Sequence, residues 1–223
     1  MDDKLLASVP LFDGFTPEDR SVILSKTQTK TYAKDAVLVH ENDKGDVFFL
    51  LLSGKVKVTS EGPDGKEVIL SFLGAGEFFG EMALLDEDPR SATVTALEAT
   101  EVMKLSRLDF LKLLSENQNM MQNFLAALSR RLRHANDQIK SLALLDVLGR
   151  IAKILLDFAQ KDGVKLLDGS IVFRRPTHQE IASMVGTSRE TVSRMIGELN
   201  RTGHITISGK DIIVRKEMLE HYA

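Results

Sequence analysis

Apolar and polar positions along the chain change their spacing several times, and each change marks a structural region. Residues 16–25 read as a short helix entered through Thr16-Pro17, with Glu18 and Asp19 in its first turn, where acids complement the helix dipole. From about residue 30 to 105 the apolar runs are short and β-rich: Ala36–His40, Asp46–Leu52, Lys55–Ser60, Glu67–Leu73, Ala92–Glu98 and Thr100–Ser106. Gly, Asn, Asp and Pro break them apart, and Gly62-Pro63-Asp64-Gly65 makes a hairpin tip. Many short strands with regular turn signals indicate a barrel or sandwich.

A helical pattern follows. Arg107–Ser115 opens it, and then Phe124, Leu128, Leu132, Ala135, Ile139 and Leu142 recur at spacings of 4, 4, 3, 4 and 3. That heptad-type seam predicts a long helix that pairs with a second copy of itself, giving a homodimer. Asp146 stands where it can cap a new helix over Val147–Gln160, which makes the junction a natural hinge. After Gly163, Ser170–Arg175 and His204–Arg215 read as small strands flanking another helical stretch.

That stretch, THQEIASMVGTSRETVSRMIGEL at Thr177–Leu199, reads as two short helices joined by a tight turn. Thr177 and Glu180 have capping-box spacing. Ile181, Met184 and Val185 form one apolar face, Gly186 permits a left-handed turn, and Thr187 or Ser188 can cap the second helix. Val192, Met195, Ile196 and Leu199 give that helix a buried stripe, and Arg189, Glu190 and Arg194 lie off it. Such an edge suits the DNA major groove, since arginine can bond guanine's two acceptors and glutamate can accept from cytosine. With the flanking strands the layout is a winged helix-turn-helix.

Composition narrows the setting. The 223 residues suffice for two modest domains, and 43% hydrophobic with 27% charged content is ordinary for a globular protein. No apolar run approaches the roughly 20 residues needed to span a bilayer, and the acidic start MDDKLLASVPLFDGF lacks signal-peptide character. The absence of cysteine excludes disulfides and thiolate metal sites. The expected location is cytoplasmic, with no membrane partner. Residues 1–145 carry 17 basic against 22 acidic side chains, and residues 146–223 carry 12 against 10. The basic excess falls where phosphate contacts would be needed.

A second chemical site lies in GAGEFFGEMALLDEDPRSATV, residues 74–94. A turn beginning at Gly80 exposes backbone amides, Arg90 offers a charge-assisted fork and Ser91 a hydroxyl donor, all suited to a phosphate. Glu81 can accept from a sugar hydroxyl. Together they describe a pocket for a phosphorylated sugar, against the alternative that Arg90 merely pairs with Asp86 or Asp88.

GEFFGEMALLDEDPRSATV resembles the phosphate-binding cassette of cyclic-nucleotide-binding domains. LALLDVLGRIAKILL and VGTSRETVSRMI resemble the hinge and recognition helix of the bacterial cyclic-AMP receptor (catabolite activator) and fumarate-nitrate regulator family. The resemblance runs from about residue 10 to the end. It implies an α+β fold: a cyclic-nucleotide-binding β-roll at 1–117, a dimerisation helix and hinge at 118–145, and a winged helix-turn-helix DNA-binding domain at 146–223. It implies a ligand site of Gly80, Glu81, Met82, Ala83, Arg90 and Ser91, with Arg131 supporting Glu81 from the long helix and Ala135 and Asn136 facing the base. It further implies that Arg189, Glu190 and Arg194 read TGTGA-like half-sites of double-stranded DNA, with Thr177, His178, Gln179 and Ser188 at the DNA backbone and RNA polymerase as a further partner.

Two departures matter. The family's adenine-reading pair is typically Thr-Ser, whereas this chain has Ala135-Asn136. Cyclic AMP is the expected ligand, with cyclic GMP or a cyclic dinucleotide as alternatives. His178 replaces a basic residue that contacts phosphate in the family, weakening that grip at neutral pH. An enzymatic phosphodiesterase would need a metal cluster, and His40, His134, His178, His204 and His221 are scattered singly, so neither metal nor catalytic residues are expected. A haem sensor is disfavoured by the lack of cysteine and of histidine within residues 74–94.

Overall fold

The computed structural model describes residues 6–222. The acidic start at residues 1–5 and the His221 side chain lie outside the described residues. Contacts divide the chain into two compact units, Met1–Arg133 and His134–Ala223.

In the first unit a 3-10 turn at Pro10–Phe12 precedes helix α1 (Pro17–Lys26). Thr16 and Asp19 close a capping box there, and Pro17 occupies the first turn, where a missing N–H costs nothing. Eight strands follow: β1 (Gln28–Tyr32), β2 (Val37–Val39), β3 (Val47–Ser53), β4 (Lys55–Glu61), β5 (Glu67–Gly74), β6 (Phe78–Phe79), β7 (Thr93–Ala96) and β8 (Thr100–Ser106), with a short helix α2 (Met82–Leu85) between β6 and β7. They form two antiparallel sheets, ordered β1-β8-β3-β6 and β2-β7-β4-β5. Helices α3 (Arg107–Glu116) and α4 (Gln118–Leu144) come next.

Strand β3 shows why the roll holds together. Its run Val47–Leu52 is apolar on both faces because both are covered. Phe48, Leu50 and Leu52 join a core with Ile23, Phe110, Met120 and Phe124 from the helices. Phe49 and Leu51 join a second core, with Val56, Leu73, Phe79, Val94 and Val102. Phe48 stacks on Phe110 at 4.4 Å, and Phe124 meets Phe110 edge-on at 5.5 Å, which clamps the start of α4 onto the roll.

That clamp corrects the expected seam. Phe124 is buried in its own unit's core, so it cannot face a partner. The exposed large apolar residues of α4 are Leu125, Leu132, Ile139, Leu142 and, at its end, Leu144, with Leu128 half-buried. Starting from Leu125, the positions 125, 128, 132, 135, 139 and 142 alternate by 3 and 4, a stricter heptad than one begun at Phe124.

In the second unit, Asp146 caps helix α5 (Val147–Asp162) by accepting from the Gly149 amide at 2.7 Å. Strands β9 (Val164–Lys165) and β10 (Ile171–Arg174), helices α6 (His178–Val185) and α7 (Arg189–Arg201), strands β11 (Ile205–Ser208) and β12 (Asp211–Val214), and helix α8 (Lys216–Tyr222) complete it. The sheet order is β11-β12-β10-β9, all antiparallel. Helix α5 packs on β10, α6, α7 and α8 through Ile151, Leu155, Leu156 and Phe158. No helix among the described residues is long and apolar enough to cross a membrane.

Candidate ligand pocket and nucleic-acid interface

Arg90 is the centre of the first site. Its side chain is buried, its guanidinium lies 5.7 Å from the Phe49 ring centroid, and its two terminal nitrogens donate to the Gly80 carbonyl at 2.7 Å and the Val47 carbonyl at 2.8 Å. Burial pushes its pKa down, while the fields of Asp46, Glu81 and Asp43 push it up. An arginine remains charged under such a balance. Two of its five N–H donors are held by carbonyls, so the guanidinium is aimed while three donors stay available. Asp86 and Asp88 do not capture it: the Asp86 carboxylate accepts from the Asp88 amide, and the nearby Glu87 pairs with Arg107.

Gly80 is required at this spot twice over. Its φ of +81° lies in the left-handed region, and a Cβ there would fall 2.5 Å from an Arg90 terminal nitrogen. Beside it Glu81 is buried, and one carboxylate oxygen accepts from Arg131 at 2.7 Å. Arg131 also donates to the Phe78 carbonyl and lies 4.4 Å from the Phe78 ring centroid. A buried carboxylate needs such a partner, because an isolated ion there would be very costly. Ser91 is exposed, its hydroxyl 3.4 Å from the sulfur of the half-exposed Met82; Ala83 is buried. Gly80, Glu81, Met82, Ala83, Arg90, Ser91 and Arg131 are thus brought together by β6, α2, the loop before β7 and α4. Ala135 and Asn136 are exposed on α4.

One wall of this pocket escaped the sequence reading. The loop before β3 runs beside Arg90: the Asn42 amide donates to the Arg90 carbonyl at 2.9 Å, and the Arg90 amide to the Asp43 carbonyl at 2.8 Å. Only the Asx- and Gly-rich text of residues 42–46 hinted at it.

The second site is built on α6 and α7. Thr177 accepts from the Glu180 amide at 3.2 Å while the Glu180 carboxylate accepts from the Thr177 amide at 2.7 Å, closing the capping box. Gly186 adopts φ +74° at the turn. Between the two cap candidates it is Ser188 that takes the role, accepting from the Thr191 amide at 3.2 Å. Both cap hydroxyls are therefore engaged inside the motif, whereas Gln179 is exposed.

Val192, Ile196 and Leu199 bury one side of α7, leaving Arg189, Glu190 and Arg194 exposed on the other. These three and Ser193 line one shallow depression. Ser193 was missed in the sequence reading, although positions three and four residues after 190 and 189 fall on the same helix face. A backbone hydrogen bond, Ser188 and Arg189 hold the Glu190 carboxyl below the usual range, so it is an acceptor at neutral pH. His178 meets Arg175, which can only donate, so the imidazole Nε2 accepts and the ring is neutral. Burial, then Arg175 and Arg189, push its pKa down accordingly.

Comparison with known proteins bears on both halves. Residues 29–117 match the cyclic nucleotide-binding domain family, and residues 149–222 match the Crp-like helix-turn-helix domain family. The chain is 36% identical over 210 residues to the cyclic AMP receptor protein of Thermus thermophilus, covering 94% of each. It is 37% identical over 193 residues to the cAMP-activated global transcriptional regulator CRP of Escherichia coli, covering 86% of this chain and 91% of that one. Among solved structures it resembles the c-di-GMP responsive global regulator CLP of Xanthomonas campestris, with a TM-score of 0.78 and 25% identity over 90% of this chain and 99% of that one. An α+β chain with a cyclic nucleotide-binding domain before a Crp-like helix-turn-helix is a regulator rather than an enzyme, and this chain belongs to the CRP/FNR family of transcription regulators.

Proposed function

We infer that the protein is a cytoplasmic, cyclic-AMP-responsive regulator that binds palindromic TGTGA-like DNA sites as a homodimer. The observation that carries this reading is the buried Arg90 guanidinium, aimed by two carbonyls beside the Glu81–Arg131 pair and the exposed Ser91. A cyclic phosphate takes the remaining donors of Arg90 and the Ser91 hydroxyl, Glu81 accepts from the ribose, and Met82 and Ala83 cover it. Ala135 and Asn136 meet the base. On the DNA, Arg189 and Arg194 each donate to a guanine, Glu190 accepts from a cytosine, and Ser193 stands between them. Thr177, His178, Gln179 and Ser188 lie along the sugar-phosphate backbone. The exposed heptad of α4 supplies the dimer seam, and RNA polymerase is the partner on the promoter.

A second reading of the ligand rests on Ala135-Asn136, which lacks the hydroxyl pair expected for adenine, and on the likeness to a c-di-GMP responsive regulator. Cyclic GMP and cyclic dinucleotides therefore belong in the test. Calorimetric titration with cyclic AMP, cyclic GMP and c-di-GMP separates the ligands, and the reading requires one-to-one binding of cyclic AMP per protomer. Selection from random duplexes at fixed salt, with ligand present, is expected to return a palindrome with half-sites about one helical turn apart. A motif without twofold symmetry, or no titration heat with any cyclic nucleotide, would overturn it.

A further inference from the structure

We propose that Gly45 is a positioning residue for the ligand, and that Gly45 and Ala83 share a volume with room for one methyl group, whose occupancy decides where the Arg90 guanidinium sits. This rests on the reading of Arg90 as the phosphate anchor.

Gly45 belongs to the loop before β3, far in sequence from the cassette at residues 76–94. Backbone bonds fix the loop's register against Arg90: Asn42 donates to the Arg90 carbonyl, and Arg90 donates to the Asp43 carbonyl. The loop is therefore locked to the residue whose side chain it touches. A Cβ built on Gly45 would lie 2.6 Å from the Ala83 Cβ, 2.7 Å from the Arg90 Nε and 2.8 Å from its Cζ. Each of these is shorter than a van der Waals contact. Gly45 does not have the left-handed φ that would demand glycine for conformational reasons. What the position requires is space.

Two neighbours could yield to an added methyl. Ala83 sits on α2, is buried, and has no side-chain torsion to turn. Arg90 is flexible, and the carbonyls that aim it are two hydrogen bonds, so its guanidinium gives way first. Moving it misaligns the three donors left for an anion, and donor placement decides the strength of a charge-assisted fork. The predicted defect is thus in binding rather than in folding. The geometry also predicts its cure: removing the Ala83 methyl leaves a space beside the 2.6 Å contact into which the Gly45→Ala methyl can shift, away from the Arg90 Nε and Cζ.

Three full-length variants, Gly45→Ala, Ala83→Gly and the double substitution, are titrated with cyclic AMP by calorimetry and melted without ligand. Gly45→Ala is expected to weaken cyclic AMP binding about tenfold, the scale of overpacking by one methyl. The double variant is expected to return to within about threefold of the parent, since volume-conserving swaps are tolerated best. Parent-like binding by Gly45→Ala would overturn the proposal, as would a double variant that folds but stays weak. If Gly45→Ala alone fails to fold, recovery of both fold and affinity in the double variant supports the shared volume. Arg90→Ala is measured alongside: if it binds cyclic AMP like the parent, the reading of Arg90 as the phosphate anchor has failed, whatever the Gly45 variants show.

Discussion

The two chemical sites of this protein treat their charges in opposite ways. In the pocket, Glu81 and Arg90 are buried and every charge is held by a named partner, Arg131 in one case and two carbonyls in the other. On α7, Arg189, Glu190 and Arg194 are exposed on a face whose reverse side alone is packed. A site for one small anion gains by fixing donors before the ligand arrives, because ordering costs are then met in folding. A reading edge must stay adaptable and solvated until a groove presents its bases. The difference teaches where a substitution will be felt: stripping a buried pocket charge of its partner reaches the fold, and a change on the edge reaches recognition.

The largest effect on stability should come from Arg131→Met, which leaves Glu81 buried without its partner. It should cost the first unit about 3 kcal/mol, the low end for a broken buried pair because the arginine is partly exposed. Denaturant unfolding without ligand checks this, and Arg131→Met/Glu81→Leu should recover most of it. Arg90→Ala should cost about 2–5 kcal/mol of cyclic AMP affinity, the range for removing one member of a buried charge pair. Parent-like heats would remove the pocket from the comparison.

On the reading edge, Glu190→Ala should lose about 1–3 kcal/mol of discrimination at one base pair, read from duplex selection. The same variant should melt close to the parent, losing only the first-turn bonds of an exposed carboxylate. A large loss of stability would mean that the edge is structural after all. Thr177→Ala should sit between the two regimes, costing about 1 kcal/mol of stability through the lost cap.

The smallest effect concerns pH. His178 has a pKa lowered in the fold, so its neutral form is stabilising. That contribution is present above the unfolded histidine value and is lost as pH falls through the folded one. Melting of the parent relative to His178→Gln should therefore worsen on acidification below about pH 6.5. DNA phosphate favours the protonated ring, so bound DNA should raise the pKa and the parent's DNA affinity should gain on His178→Gln as pH falls. Equal pH profiles would leave the histidine with no role in either site.

Much of this was legible because the responsible physics is local. The Thr177–Glu180 box, the left-handed Gly186 and the Asp146 cap each act over a few residues, and all three are present. The strands that escaped have reasons. β1, QTKTY, is an edge strand exposed at nearly every position and has no apolar alternation to announce it. β6 and β9 are two residues each. Gly45 was invisible for another reason: its claim to be glycine comes from Arg90 and Ala83, which only the folded chain brings near. Phe124 and Leu125 are adjacent apolar residues, and spacing alone did not say which one turns inward.

That inward turn of Phe124 has a consequence for gene dosage. Because the first turns of α4 are fastened to their own roll, a protomer paired as proposed would keep this hydrophobic core and lose only the seam when the dimer separates. Folding and pairing are then separate equilibria, and pairing alone depends on how much protein the cell holds. Below the dimer dissociation constant the amount of paired protein grows as the square of the chain concentration. On an operator far from saturation, a twofold change in expression would then alter occupancy by the proposed dimer about fourfold, before any nucleotide level has moved.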